Sequence, residues 1–140
     1  MLARFFQLFR GAAPTRASVG AKGEAEAERF LKKQGFRVQE RNWRKGRDEI
    51  DLIGWVNEVL VFVEVRTRKK GALVGGYDSI GPKKKKALLR CCRGYLYGLK
   101  KKPRTHRFDV VEVEHEEGRV LELRHFENVP LFSKATNRGR

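Results

Sequence analysis

Two short apolar runs near the middle of the chain each carry an acid where a hydrophobic core would be expected. Glu49-Ile50-Asp51-Leu52-Ile53 and Leu60-Val61-Phe62-Val63-Glu64-Val65-Arg66 both read as buried β-strands. An ionised carboxylate inside a core is costly unless a cation, a metal or dense hydrogen bonding compensates it. Strands of this kind predict a site opening beside the core. The second run is apolar without interruption from residue 59 to residue 63, which predicts a central strand covered on both faces.

The surrounding pattern supplies those covers. Residues 19–34 have helical spacing, with Ala27, Phe30 and Leu31 on one face and Gly35 as a stop. Residues 36–42 alternate as a half-buried first strand, 44–48 read as a hairpin turn, and strands follow over 49–55 and 59–66 with a turn near Asn57. The glycine-rich stretch 71–81 predicts a mobile loop. Pro82 opens a second helix that runs to about Tyr97 and buries Leu88, Leu89, Cys92, Tyr95 and Leu96. A basic link over 100–104 leads to alternating strands over 107–113 and 120–126, joined by a turn at Glu117-Gly118. The order α-βββ-α-ββ predicts one α/β domain over residues 19–132, a small mixed sheet flanked by helices. A chain of 140 residues suits one such core and not two.

Charge is placed unevenly. Of the formal net charge of +15, a balance of +13 falls between Arg66 and Arg104, where fourteen basic residues meet one acid, Asp78. Such a block is the electrostatic footprint of a phosphate-backbone binder; the bland alternative is a solvated, solubilising surface. Its position beside buried acids favours nucleic acid, with Arg68, Lys83, Lys84, Lys85 and Lys86 as backbone contacts. Cys91 and Cys92 are adjacent, lack zinc-type spacing, and fit a reducing cytoplasm, with one of them expected to face the core. His106, His115 and His125 stand apart among strand residues, which favours structural roles. No segment has the length of uncharged apolar sequence that a membrane-spanning helix needs. Residues 1–18, with Leu2, Phe5, Phe6 and Phe9 beside Arg4 and Arg10, suit a presequence, a membrane-surface helix or a flexible bacterial tail, the last being preferred. Residues 133–140 read as a disordered basic tail.

The acids have a chemistry. Leu60, Phe62, Glu64 and Arg66 share one face of their strand, so a core face becomes polar as it leaves the apolar layer. Asp51 belongs to the neighbouring hairpin strand. Two carboxylates about 4 Å apart repel by roughly 4 kcal/mol at an effective dielectric near 20. A divalent cation would turn that repulsion into attraction. Mg²⁺, with Mn²⁺ as a substitute, suits a hard site of one or two carboxylates and retained waters. Arg66 offers a fork for a phosphate oxygen. Glu24 points to the inner side of the first helix; it is either a third site acid or an acid favouring the helix N-terminus.

Six motifs in order carry a resemblance over residues 19–132: Gly23-Glu24, Arg41-Asn42, Glu49-Ile50-Asp51-Leu52-Ile53, Phe62-Val63-Glu64-Val65-Arg66-Thr67-Arg68, Pro82-Lys83-Lys84 and Arg107-Phe108-Asp109-Val110-Val111. Together they resemble the YraN-type, endonuclease-like family of bacterial proteins. That family is assigned to the restriction-endonuclease-like PD-(D/E)xK superfamily and is similar to archaeal Holliday-junction resolvases. The resemblance implies a sheet with helices on both sides and an acidic metal site of Glu24, Asp51 and Glu64, with Arg66 at the superfamily's lysine position. It also implies a homodimer as one possible state. Two departures stand out. Arg66 replaces the usual Lys and, staying protonated, cannot act as a general base. The turn Gly46-Arg47-Asp48-Glu49 is one residue longer than the expected spacing.

The expected activity is Mg²⁺-dependent hydrolysis of DNA phosphodiester bonds, including branched or processed DNA. A catalytically silent nucleic-acid-binding module with a nuclease fold is the alternative, and a membrane-surface or protein adaptor is the third class. DNA ranks above RNA as the partner.

Overall fold

The computed structural model describes residues 14–72 and 75–132. The expectations for the tails therefore lie outside the described residues at 1–13 and 133–140, and part of the expected 71–81 loop does too. The elements run α1 (Arg16–Lys33), β1 (Arg37–Lys45), β2 (Asp48–Val56), β3 (Val59–Lys69), a 3₁₀ turn (Gly76–Ser79), α2 (Pro82–Gly98), β4 (Thr105–Glu116) and β5 (Arg119–Phe126). This is the expected α-βββ-α-ββ order.

The strands lie side by side in chain order. Three neighbouring pairs are antiparallel hairpins, whereas β3 and β4 are parallel, which requires the crossover that α2 provides. The result is a mixed five-stranded sheet flanked by helices, as the element order predicts. Alternation along β3 divides the interior as expected. Leu60 and Phe62 pack with Ile53, Leu88, Cys91 and Cys92 on the α2 side. Val61 and Val63 pack with Ala27, Leu31 and Val111 on the α1 side. Both cysteines are fully buried, where one was expected, because Cys91 and Cys92 both fall on the broad buried stripe of α2. Leu89 and Leu96 are only partly covered at its margin. Among the described residues, no helix is long and apolar enough to cross a membrane.

Helix α1 starts three residues earlier than its apolar periodicity indicates. Thr15 and Ser18 form a reciprocal capping box, each side chain meeting the other's backbone N–H at 3.1 and 2.9 Å. Capping satisfies donors that would otherwise be left over, so the first turn needs no apolar residue. Strands β3 and β4 also extend beyond the expected ends, since their parallel pairing continues to Lys69↔His115. Asp109, fully buried in β4, accepts hydrogen bonds from Arg107, from the Asn128 N–H and, at 2.9 Å, from the His125 ring. Burial alone would raise its carboxyl, but these donors hold it below the ordinary value. The acid of the last motif is thus a fastener for β5 and the segment after it.

Two glycines are close-approach positions. A Cβ at Gly23 would lie 2.3 Å from Thr67 Oγ1, so the missing side chain lets α1 settle on β3. A Cβ at Gly54 would lie 2.4 Å from the Arg37 carbonyl oxygen and 2.5 Å from the Phe36 ring. Gly54→Ala should therefore destabilise the fold by about 1–3 kcal/mol, the usual cost of overpacking. Gly20→Ala, in an open helical position, should be neutral or gain up to about 1 kcal/mol. Urea titration of both variants checks the contrast, and equal effects would contradict it.

Candidate active site

Strand β2 parts from β3 where the acids begin. Their pairing runs from Val56↔Val59 to Leu52↔Val63 and goes no further. Ile50 and Leu52, two residues apart, nevertheless belong to opposite core layers, so the alternation of β2 is interrupted at Asp51. In place of a ladder carbonyl, Asp51 Oδ2 accepts the Val65 N–H at 2.7 Å. Its carboxylate is therefore fixed in the gap between the diverging strands, 9% exposed.

Two acids join it, one from α1 and one from β2 itself. Glu24, Glu49 and Asp51 each present an oxygen, and all three lie within 4.8 Å of one another. Glu24 is the inward-facing acid expected on the first helix, carried there by the docking of Gly23 on Thr67. Glu49 was not expected. Its spacing to Asp51 held the signal, since residues two apart in a strand share a face. Asn42 links the group: in the amide orientation that suits both neighbours, its nitrogen donates to Glu24 Oε2 at 3.2 Å and to Glu49 Oε1 at 3.1 Å. Asn42 adopts φ +50°, a left-handed conformation that Asn tolerates better than most residues. Arg44 Nε meets the other Glu49 oxygen at 2.7 Å.

Crowding leaves its mark on the titration. Burial, then the charges of Asp51 and Glu49, push Glu24 up to about 7 against the opposing hydrogen bond from Asn42. A carboxyl raised toward neutrality beside two others is the mark of crowded, partly buried acids.

Glu64 lies on the other side of Asp51. It is 4% exposed, and burial followed by the hydrogen bond and charge of Asp51 holds its carboxyl well above the ordinary range. Its Oε2 has no hydrogen-bond partner, and Lys84 Nζ stands 3.6 Å away. The expected trio of Glu24, Asp51 and Glu64 is thus partly regrouped. Asp51 is shared, Glu24 and Glu49 face it from one side, and Glu64 faces it from the α2 side. Arg66 is directed elsewhere: one terminal nitrogen donates to the Ser79 carbonyl at 3.1 Å, while its Nε is buried without a partner. Burial, then Arg68, lowers its pKa from the ordinary value, with Glu64, Asp51 and Glu112 acting in opposition.

Beyond the acids, a cleft of about 1650 Å³ opens between the β1–β2 hairpin and α2. Glu49 and Asp51 lie at its inner end, and Lys83, Lys84, Lys86, Arg90 and Arg93 form one wall. Arg90 is held by Asp48 through two hydrogen bonds of 2.7 and 2.9 Å, which join the helix to the lengthened hairpin turn. Sequence placed Lys84 among the phosphate contacts; the ion pair with Glu64 gives it a second role that charge patterning could not show.

Comparison with known proteins places the chain in a family. The model of "Uncharacterised protein family UPF0102" matches residues 23–113, a span that contains the acids, Lys84 and Asp109. A UPF0102 protein of Chlorobaculum parvum is 42% identical over 95 residues, covering 68% of this chain and 74% of its own. One from Anaeromyxobacter dehalogenans is 40% identical over 103 residues, covering 74% and 77%. Another, from Lawsonia intracellularis, is 39% identical over 114 residues, covering 81% and 86%. Among solved structures, SfsA of Pyrococcus furiosus in complex with Ca²⁺ aligns with a TM-score of 0.37 at 18% identity, over 76% of this chain and 62% of that one. With the family model spanning residues 23–113 and these relatives 39–42% identical over more than two thirds of each chain, the chain belongs to the UPF0102 family, the YraN-type family that its motifs resemble.

Proposed function

We propose that this protein is a metal-dependent endonuclease whose basic cleft holds DNA across the Asp51 carboxylate cluster. The observation that carries this reading is the convergence of three carboxylate oxygens within 4.8 Å at the head of a cation-lined cleft. The donor set fits Mg²⁺ or Mn²⁺. It is all oxygen, and Glu49 and Asp51 border a cleft from which waters can complete the shell. Glu24, Glu49 and Asp51 would hold the ion. Glu64 would act from behind Asp51 as a buried acid that fixes its position. The chemistry supplied by a cation bound there is Lewis acidity toward water and a phosphate oxygen.

The remaining work falls to the chain's own side chains. Asp51 is oriented by the Val65 N–H, so its carboxylate does not turn when substrate arrives. Lys84 Nζ, 3.6 Å from Glu64 and on the cleft wall, can hold a phosphate oxygen as charge develops on it. This gives the domain the ammonium that the superfamily's strand usually provides, delivered from α2. Arg66, tied to Ser79 and near Glu64 and Glu112, would hold the 3₁₀ turn and balance the buried acids. Lys83, Lys85, Lys86 and Arg68 would position the backbone.

Asp51→Ala should lower Mg²⁺-dependent nicking of plasmid or junction DNA by about 100-fold or more, the scale of losing a group that stabilises transition-state charge. DNA affinity in the presence of EDTA should be unchanged or higher. Equal nicking by wild type and variant would sink the nuclease reading. Binding without any wild-type cleavage would leave a silent nucleic-acid-binding module. Lys84→Met should reduce the cleavage rate at saturating DNA more than Lys86→Met does, which separates the site lysine from the general phosphate contacts.

The raised Glu24 pKa has a definite sign. Folding favours the protonated carboxyl, so its contribution to stability is full below about 4.5, where the unfolded chain also keeps the proton, and is lost as pH rises through about 7. In EDTA, wild-type stability should fall between about pH 5 and pH 8, with Glu64 acting in the same direction. Mg²⁺ should restore it at the alkaline end, and the Glu24→Gln variant should show a smaller fall. Thermal melts across pH with and without the ion measure this, and a pH-independent wild type would contradict it.

A further inference from the structure

The outer end of the cleft carries an aromatic ring that neither the fold nor the acid site uses. Tyr97 is 85% exposed, on the last turn of α2, and borders the same cleft as Asp51. Among the described large apolar and aromatic side chains, Leu121 is the other marked exception, at 45%. Tyr97 is also held in place. Lys102 Nζ donates to the Leu96, Tyr97 and Leu99 carbonyls at 2.7, 2.8 and 2.7 Å, closing the helix end, and lies 5.7 Å from the centre of the Tyr97 ring.

The ring continues a stripe. Lys83, Lys86, Arg90, Arg93 and Tyr97 follow one another at steps of three and four residues, so they form one line along α2, and all five border the cleft. At about 1.5 Å per residue, the fourteen steps from Lys83 to Tyr97 span about 20 Å. That is the length of about six stacked nucleotides at 3.4 Å per step along one strand. A cationic track ending in an exposed, braced aromatic is the chemistry that binds single strands. The cations follow phosphates, and a π-face accepts any unpaired base. A duplex gives the cations the same phosphates but keeps its bases stacked on one another, leaving nothing for the ring to do.

We infer that Tyr97 is a base-stacking platform and that the cleft takes nucleic acid with an unpaired strand, running from the carboxylate cluster along α2 to this ring. This rests on the reading of the cleft as a nucleic-acid site and narrows its substrate to single-stranded, flapped or opened structures. Duplex and branched ends without unpaired bases would bind through phosphates alone.

The test uses the full chain in EDTA, so that cleavage plays no part, with a fluorescein-labelled ten-nucleotide DNA of mixed sequence and the corresponding duplex. Tyr97→Ala should weaken single-strand binding by about 5-fold to 100-fold, the range for loss of one stacked base. Duplex affinity should stay within about twofold, and Tyr97→Trp should retain single-strand affinity and show quenched Trp emission when the single strand binds. Since Tyr97 is exposed, circular dichroism of the variants should match wild type. The inference is overturned if Tyr97→Ala binds the single strand like wild type, or if it loses single strand and duplex equally. A Tyr97-dependent preference for single strands in a protein whose nicking ignores Asp51→Ala would leave the inference standing and remove the nuclease reading. Asp51-dependent nicking with no role for Tyr97 would do the reverse.

Discussion

The Asp51 carboxylate accepts a backbone N–H that a neighbouring strand would otherwise take, and the site is arranged around that replacement. By capping Val65, Asp51 lets β2 leave β3 without stranding a buried donor, a loss that would cost about 1–3 kcal/mol. The gap so created is where Glu24, Glu49 and Glu64 can approach the same point from two sides of the sheet. An uninterrupted β2–β3 ladder would bury the gap and leave the acids separated by a closed layer. The residue that opens the cleft is therefore also the one at the centre of the acid cluster, so folding stability and the geometry of that cluster are coupled at a single side chain.

Around that centre, opposite charges are sorted by depth. The acids lie deep, between the strands, where burial and mutual repulsion raise Glu24 and Glu64. The cations lie outside them on α2. Four lysines sit in the first turns of that helix, where the helix dipole disfavours positive charge, and the cap residue Gly81 contributes no side chain to offset it. A deep acid pit ringed by shallow cations has the layout that the proposed ligand requires, a polyanion joined to the acids through a cation and held by ammonium groups along its length.

Much of this was legible in the sequence. The apolar run of β3 announced a central strand, and its parity assigned Phe62 and Val63 to opposite layers correctly. Asp51 and Glu64 stood out as acids in apolar company, and helical spacing turned Glu24 inward. What remained hidden depends on departures from regularity. Glu49 read as the polar start of a strand, although its two-residue spacing to Asp51 put it on the same face; the break in alternation between Ile50 and Leu52 is what strand periodicity gave no warning of. Asn42 takes a left-handed conformation that no pattern of hydrophobicity encodes. Arg66 read as a phosphate fork from its strand face alone; its engagement with Ser79 depends on where the 3₁₀ turn comes to rest, a tertiary fact. The early start of α1 is a different kind of omission, since the Thr15–Ser18 box was present in the sequence but lies outside the apolar stripe.

The pairs already made along the cleft have a consequence for ion release. Arg90 is engaged by Asp48 and Lys84 by Glu64, so these cations carry internal counterions belonging to the protein itself. Nucleic-acid binding gains entropy by setting free the small ions condensed on phosphates, in proportion to the protein cations that replace them. A phosphate that takes Arg90 must first displace a tethered carboxylate, which cannot diffuse away. Nucleic acid bound in the cleft as proposed should thus respond to added salt less steeply than the number of basic side chains suggests, and stay bound at ionic strengths that strip a surface of unpaired lysines.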